Sequence, residues 1–316
     1  MTEKKLYTRR RLLATASAAA VAGCTSGDGN STARDTTEPG PRTSSTETPT
    51  RTVDGDVETI RDVPFREAPQ RTLKLDLYLP TSGADYPFFV FAHGGAWILG
   101  DKGERPMFDH LAEAGYAVAD IQYRLSLDEA RQYPAPVRDV TAAVKWVKAN
   151  ADQYGIDAST GGLGGYSAGA HLATLVGLAP EYEAFQPTEF EPETTASVDA
   201  IVGYSGPYDF TAPEAEGSEL IANFFGEDAS DETLAEGSPV THVDGDDPAA
   251  LLLHGTDDGT VPYRSTTVLA EALRSEGVPV DVFTGEGAGH GMINDREWRE
   301  RTLPTQQGFL DTHLRS

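Results

Sequence analysis

Cysteine is almost missing from this sequence: Cys24 is the only one. No disulfide can form within the chain, so the fold has to stand on its core. Histidine is scarce, at seven residues, and neither H-E-x-x-H nor paired-cysteine spacing occurs. Nothing in the sequence therefore supports a zinc site. No apolar run approaches the ~20 residues that span a bilayer. Basic residues are few: 25 Lys and Arg stand against 50 Asp and Glu, a formal charge of −25. That balance argues against nucleic acid, and against anionic membrane surfaces, as partners of the folded part. It implies a heavily hydrated surface, as in proteins adapted to high salt, where screening removes the self-repulsion. A halophilic source is the expectation, and loss of structure on dialysis to low salt is its check. At 316 residues and 39% hydrophobic content, the chain can bury the core of one large domain or two small ones.

Residues 1–23 read as an export leader. Lys4, Lys5, Arg9, Arg10 and Arg11 precede an apolar stretch, Leu12 to Gly23, that is too short for a stable span and suits a signal-peptide core. Thr8-Arg9-Arg10-Arg11-Leu12-Leu13 resembles a twin-arginine signal, and Val21-Ala22-Gly23-Cys24 resembles a lipobox. Together they imply an extracytoplasmic protein held at the membrane by a lipidated Cys24, or a secreted one. Residues 24–56 are dominated by Thr, Ser, Gly, Asp, Glu, Pro and Arg and lack apolar periodicity. Such a segment cannot offset its ordering entropy and is expected to be a disordered tether. Asn30-Ser31-Thr32 within it is a glycosylation sequon.

From about Val57 to residue 316 the composition is that of a folded domain. Leu73–Pro80 alternates apolar and polar as a half-buried strand does, and Phe88–Ala92 is a buried-strand run. Further strands are expected at Tyr116–Ile121, before Ser167, at Ser197–Tyr204, Ala249–His254 and Pro279–Phe283. Helices are expected at about Pro106–Ala114, Pro136–Tyr154, 264–276 and from Arg296. Strands alternating with helices mean an α/β fold, a mainly parallel sheet covered on both faces. Its sites belong at the C-terminal ends of strands. Residues 180–197 and 210–247 are acidic and weakly patterned, and are expected to form a small cap.

Gly165-Tyr166-Ser167-Ala168-Gly169 reads G-x-S-x-G, the pattern of a strand-to-helix turn that pushes a serine Oγ out above a sheet. Ser167 needs a base, and His290, in a glycine-rich loop after the last strand, is the best candidate. His254 and His93 read as structural, His171 as packing the helix after Ser167, and His110, His242 and His313 as surface residues. The base needs a carboxylate, and Asp258, Asp257 and Asp209 all precede His290 and follow Ser167 in the chain order this turn requires. An oxyanion needs backbone donors: the Ala168 amide is one, and the His93-Gly94-Gly95-Ala96-Trp97 loop can supply another.

HGGAW at 93–97, YRLS at 123–126, YPAPVRDVTAAVKWV at 133–147, GYSAGAHLA at 165–173, HGTDDGTVP at 254–262 and GHG at 289–291 jointly resemble the α/β-hydrolase superfamily. The likeness is to its hormone-sensitive-lipase-like and feruloyl-esterase-like carboxylesterases, over roughly residues 70–295. The resemblance implies an α/β-hydrolase fold with catalytic Ser167, Asp258 and His290. It places the oxyanion donors on Gly95, Ala96 and Ala168 and needs no metal or organic cofactor. The implied substrates are small or medium acyl esters, either small molecules or polysaccharide-linked. Ala96 departs from the third glycine common in the lipase-like members and implies a slightly smaller pocket. H-G-G-[AY]-W also resembles arylformamidases, so amide hydrolysis is the alternative reaction. A surface-tethered binding module is the alternative of a different class.

Overall fold

The computed structural model describes residues 49–69, 71–103, 105–128, 132–187, 194–212 and 218–315. The leader and Cys24 lie outside them, as does the tether up to residue 48. The strands are β1 (Thr50–Asp54), β2 (Val57–Ala68), β3 (Arg71–Pro80), β4 (Tyr86–Ala92), β5 (Ala117–Ile121), β6 (Ile156–Tyr166), β7 (Ala200–Tyr204), β8 (Ala249–Gly255) and β9 (Val280–Gly285). The helices are α1 (Pro106–Glu113), α2 (Ala135–Ala149), α3 (Ala151–Tyr154), α4 (Ala168–Leu178), α5 (Glu219–Phe225), α6 (Asp231–Glu236), α7 (Arg264–Ser275) and α8 (Arg296–Leu314). None of these helices is long and apolar enough to cross a membrane.

The strands form one sheet in the order β1-β2-β3-β5-β4-β6-β7-β8-β9. From β5 to β9 across the sheet the pairing is parallel, whereas β1, β2 and β3 pair antiparallel. The central strand β4 shows why this sheet is covered twice. Its side chains alternate between faces, as the pleat dictates. Phe88, Val90 and Ala92 pack with α2 and α4, while Phe89 and Phe91 pack with α1 and α8. Val137, Val140, Val144 and Val147 recur at helical spacing on α2 and are all buried. A third apolar layer joins Leu269 and Leu273 of α7 to Ile201 and Leu252. Each such side chain contributes roughly 1.5–3 kcal/mol when fully buried, so these layers carry the fold.

Two expectations shift, and two strands carry no sequence signal. The tether cannot run to residue 56, because β1 pairs with β2 across Thr50–Asp54. All five β1 side chains are exposed, so the strand leaves no apolar trace; backbone pairing and the Arg51–Glu58 ion pair hold it to β2. β2 also escapes the period-2 pattern, since register shifts interrupt its pairing with β3 between Ile60 and Val63 and between Pro64 and Arg66. Asp62, at φ 59°, sits in the first interruption. The helix expected over Pro136–Tyr154 is two helices. Asn150 ends the first one: its backbone leaves the helical region at φ −109° and ψ 12°, and its side-chain amide folds back to donate to the Trp146 carbonyl at 2.8 Å.

A buried ionic knot ties β2, the segment after β5, and α2 together. The Arg124 backbone N–H and Nε each donate to Asp139 Oδ2 at 2.8 Å, and Nη2 donates to Oδ1 at 3.0 Å. Arg66 Nη1 donates to the same Oδ1. All three residues are buried, Asp139 completely.

Candidate active site

β6 runs into α4 through Ser167, whose φ of 55° and ψ of −118° lie in a region that L-residues rarely occupy. The small residues around it make the turn possible. A Cβ on Gly169 would lie 2.1 Å from the Ala92 carbonyl oxygen, and one on Gly165 would lie 2.4 Å from the Gly169 carbonyl carbon. The Ser167 N–H donates to the Tyr204 carbonyl at 2.8 Å, pinning the turn to β7.

His290, Asp258 and Ser167 come together from three separate strand ends. His290 Nε2 lies 3.0 Å from Ser167 Oγ, and Nδ1 lies 2.7 Å from Asp258 Oδ2. A carboxylate only accepts, so the Nδ1 proton faces Asp258 and Nε2 is left as an acceptor toward the serine. The arrangement is therefore able to take a proton from Ser167. Tyr166 adds a brace, donating its hydroxyl to the His290 carbonyl at 3.0 Å. The competition among acids resolves in space: Asp257 is exposed, and Asp209 accepts from the Thr211 backbone and hydroxyl.

The Asp258 carboxylate is fully enclosed, and burial alone would raise its pKa. Hydrogen bonds from His254, His290 and the amides of Val261 and Thr260 outweigh burial and hold it well below the usual carboxylate range. His254, expected to be structural, holds the acid in place. Its Nε2–H is shared between Asp258 Oδ2 and the Val261 carbonyl, both at 3.0 Å, while Nδ1 accepts from the Thr266 hydroxyl at 2.7 Å. The signal was present as a histidine four residues before the acid, at the end of an all-apolar strand.

The His93–Trp97 loop faces Ser167 across the site. Gly95 adopts φ 128°, and a Cβ there would lie 2.0 Å from the Leu99 carbonyl oxygen. Ala96 and Trp97 also hold positive φ, 51° and 60°. An alanine in this region costs about 1–2 kcal/mol, and surrounding contacts sustain it. The Gly95 carbonyl turns back to accept from Ile98 and Leu99. The Trp97 carbonyl accepts from Ser126, its ring stacks on Phe224, and its Nε1–H donates to His171 Nδ1 at 3.1 Å. Among the described residues no backbone bond of this loop uses the Gly95 or Ala96 N–H. Ala168 opens α4, where the first N–H groups lack intrahelical acceptors. These amides are free to receive a developing negative charge.

Other histidines fall into place. His93 stacks on Tyr123 and donates from Nδ1 to the Gly94 carbonyl at 2.8 Å, orienting its own loop as expected. His171 donates from Nε2 to the Gly237 carbonyl at 2.8 Å, and so links the elbow helix, the Trp97 loop and the excursion after β7. His110, His242 and His313 are half-buried rather than surface residues, and His242 packs against Tyr182 and Phe185. Among the described residues, no group of three or more His, Cys, Asp and Glu is placed to hold a metal ion.

Burial lowers His93 and His171 to about 4. Above the unfolded value of about 6.5 both states are neutral, and below it only the unfolded chain takes up protons. Stability is therefore lost as pH falls from 6.5 to 4, by about 3 kcal/mol for each histidine. Asp258, with its depressed pKa, adds a loss only below about pH 4. In His171→Gln the slope of unfolding free energy against pH near pH 5 should diminish by about one proton. An unchanged slope would contradict this assignment.

Ser167 opens on a cleft of about 160 Å³ that is continuous with solvent. Trp97, Pro207, Phe210, Ile221, Val261 and Val268 give it an apolar lining, and Asp209 and Arg264 are its charged residues. Phe210, Ser218, Leu220 and Ile221 come from the second segment expected to form a cap, and that segment does border the cleft. The described residues of the first segment do not line it.

A mainly parallel sheet with a serine elbow above its centre, and an acid and a histidine on the loops after β8 and β9, defines an α/β-hydrolase. Residues 75–273 match the model of the BD-FAE family, and the chain belongs to that family. It is 30% identical to Esterase LipC of Mycobacterium tuberculosis over 68% of this chain and 54% of that protein. It is 34% identical to Probable carboxylic ester hydrolase LipM of the same organism, over 57% of this chain and 43% of LipM. The chain thus spans about half the length of these curated relatives. A truncated carbohydrate esterase from gut microbiota superposes with a TM-score of 0.68 at 26% identity, covering 79% of this chain and 96% of the other.

Proposed function

We propose that the protein is a serine carboxylesterase acting on small or medium acyl esters. The observation that carries this reading is the hydrogen-bonded series Ser167–His290–Asp258 at the mouth of an apolar cleft. Ser167 Oγ attacks the ester carbonyl while His290 Nε2 takes its proton. Asp258 keeps the other ring proton on Nδ1 and stabilises the imidazolium. The amides of Gly95, Ala96 and Ala168 bind the oxyanion. His290 then protonates the leaving alcohol, and a water it activates releases the acid from the acyl-enzyme. Relatives named as esterases and a neighbour titled as a carbohydrate esterase support the ester class, with acyl groups on carbohydrates among the substrates. The leader reading adds that the enzyme works outside the cytoplasm, anchored through Cys24. Fatty-acid labelling that persisted in Cys24→Ser would remove that addition.

Hydrolysis of p-nitrophenyl acetate, butyrate and octanoate by the full chain tests the reading. We expect acetate and butyrate to be turned over, and Ser167→Ala to lose at least ~10³-fold in kcat. Turnover of formamides with none of the three esters would replace the ester reading with the amide one.

A further inference from the structure

Behind the loop that carries His290, on the face of the sheet covered by α1 and α8, lies a second cavity of about 110 Å³. Arg105, Arg299, Asn294, Tyr204 and Thr302 form its polar wall. The chain has 50 acidic residues for 25 basic ones, so a basic side chain here should easily find a carboxylate. Among the described residues, neither Arg105 nor Arg299 forms an ion pair. Both grip Asn294 instead. Arg105 Nη1 donates to its Oδ1 at 3.1 Å, and Arg299 Nη1 reaches its carbonyl at 3.5 Å. Asp120 lies near enough to feel the charge of Arg105 but forms no ion pair with it, and its Oδ2 accepts from the Gly103 N–H instead.

The remaining wall offers one free hydroxyl, with an amide one helical turn further along α8. Thr302 Oγ1 is buried without a partner, and so is Gln306 Nε2 just behind it, whose Oε1 is occupied by the Tyr204 hydroxyl at 2.9 Å. An unpartnered buried donor costs about 1–3 kcal/mol. Water can satisfy the hydroxyl, while an anion would meet both the hydroxyl and the two half-buried guanidiniums that face the cavity without an ion pair. Asn294 Oδ1, the one amide oxygen in the wall, is already taken by Arg105. We propose that this cavity binds a small inorganic anion, a halide such as chloride or a compact oxyanion such as sulfate. The site does not rest on the esterase reading, but it adjoins its machinery. Asn294 ends the short turn Met292–Asn294 that follows His290, and the Tyr204 carbonyl holds the Ser167 N–H. An anion between the two arginines fastens both supports from below.

Thermal unfolding of the full chain in sodium chloride, sodium sulfate and sodium gluconate at equal ionic strength tests the site. Gluconate is the bulky reference. We expect a saturable rise in midpoint with chloride or sulfate over gluconate, because a ligand that binds only the native state stabilises it. The effective salt identifies a halide or an oxyanion site. Arg299→Gln should raise the half-saturating concentration about tenfold or more, the weight of one charge-assisted hydrogen bond. Thr302→Val, which leaves both charges in place, should raise it by less. An identical salt response in the wild type and both variants would overturn the proposal, as would equal midpoints for the wild type in all three salts.

Discussion

Asp258→Asn should lower kcat by about 10³–10⁴-fold with the fold retained. The reason lies in what the carboxylate touches. Its partners are all donors: His290 Nδ1 and His254 Nε2 on one oxygen, the Thr260 and Val261 amides on the other. An asparagine has one acceptor end and one donor end. If its NH₂ faces the imidazoles, His290 must move its proton to Nε2, where it points at Ser167 and the ring can no longer act as a base. If the NH₂ faces Thr260 and Val261 instead, two donors oppose it and the turn after β8 opens. Either orientation removes the geometry that catalysis needs. Asp257→Asn and Asp209→Asn leave the His290–carboxylate contact intact, so each should lose far less than Asp258→Asn, with any effect of Asp209→Asn falling on KM because it lines the cleft. The reverse pattern, with activity kept in Asp258→Asn and lost in one of the other two, would move the acid.

Asp139→Ala should destabilise the fold by about 3–5 kcal/mol. It leaves Arg66 and Arg124, both almost fully buried, without their common counter-charge. Arg124 loses three hydrogen bonds at once, from its backbone N–H, Nε and Nη2. An isolated buried cation cannot recover its hydration without opening the structure. The measurement is a urea unfolding curve, where the midpoint should fall while its steepness is unchanged. Adding Arg124→Met to Asp139→Ala should recover part of the loss, since it removes one uncompensated charge. A loss below about 1 kcal/mol would mean that water reaches the knot and solvates it.

Much of the sheet was legible because its strands announce themselves. Phe88–Ala92 and Ala249–His254 are apolar on both faces, as strands covered by helices on either side must be. Ser167 and His290 were legible because a serine elbow and a glycine-rich loop constrain local sequence strongly. The acid was not separable from local pattern alone. Asp209, Asp257 and Asp258 all follow predicted strands, and only the resemblance chose among them before the 2.7 Å contact with His290 did so in space. His254 was hidden by its setting, since a histidine closing the run Leu251-Leu252-Leu253 reads as core. β1 and β2 were illegible for opposite reasons. One is wholly exposed and the other is broken by register shifts, so neither carries a period of two. The cavity behind His290 is assembled from α1, β7 and α8, and no window of sequence brings Arg105 and Arg299 together.

The central claim is that Ser167 is the nucleophile, and its most direct test is mass spectrometry of the full chain after exposure to a fluorophosphonate. A single adduct is expected on the peptide containing Ser167, absent in Ser167→Ala and formed far more slowly in His290→Ala. An adduct on another residue with Ser167 unmodified would contradict it, as would ester hydrolysis that survives in Ser167→Ala.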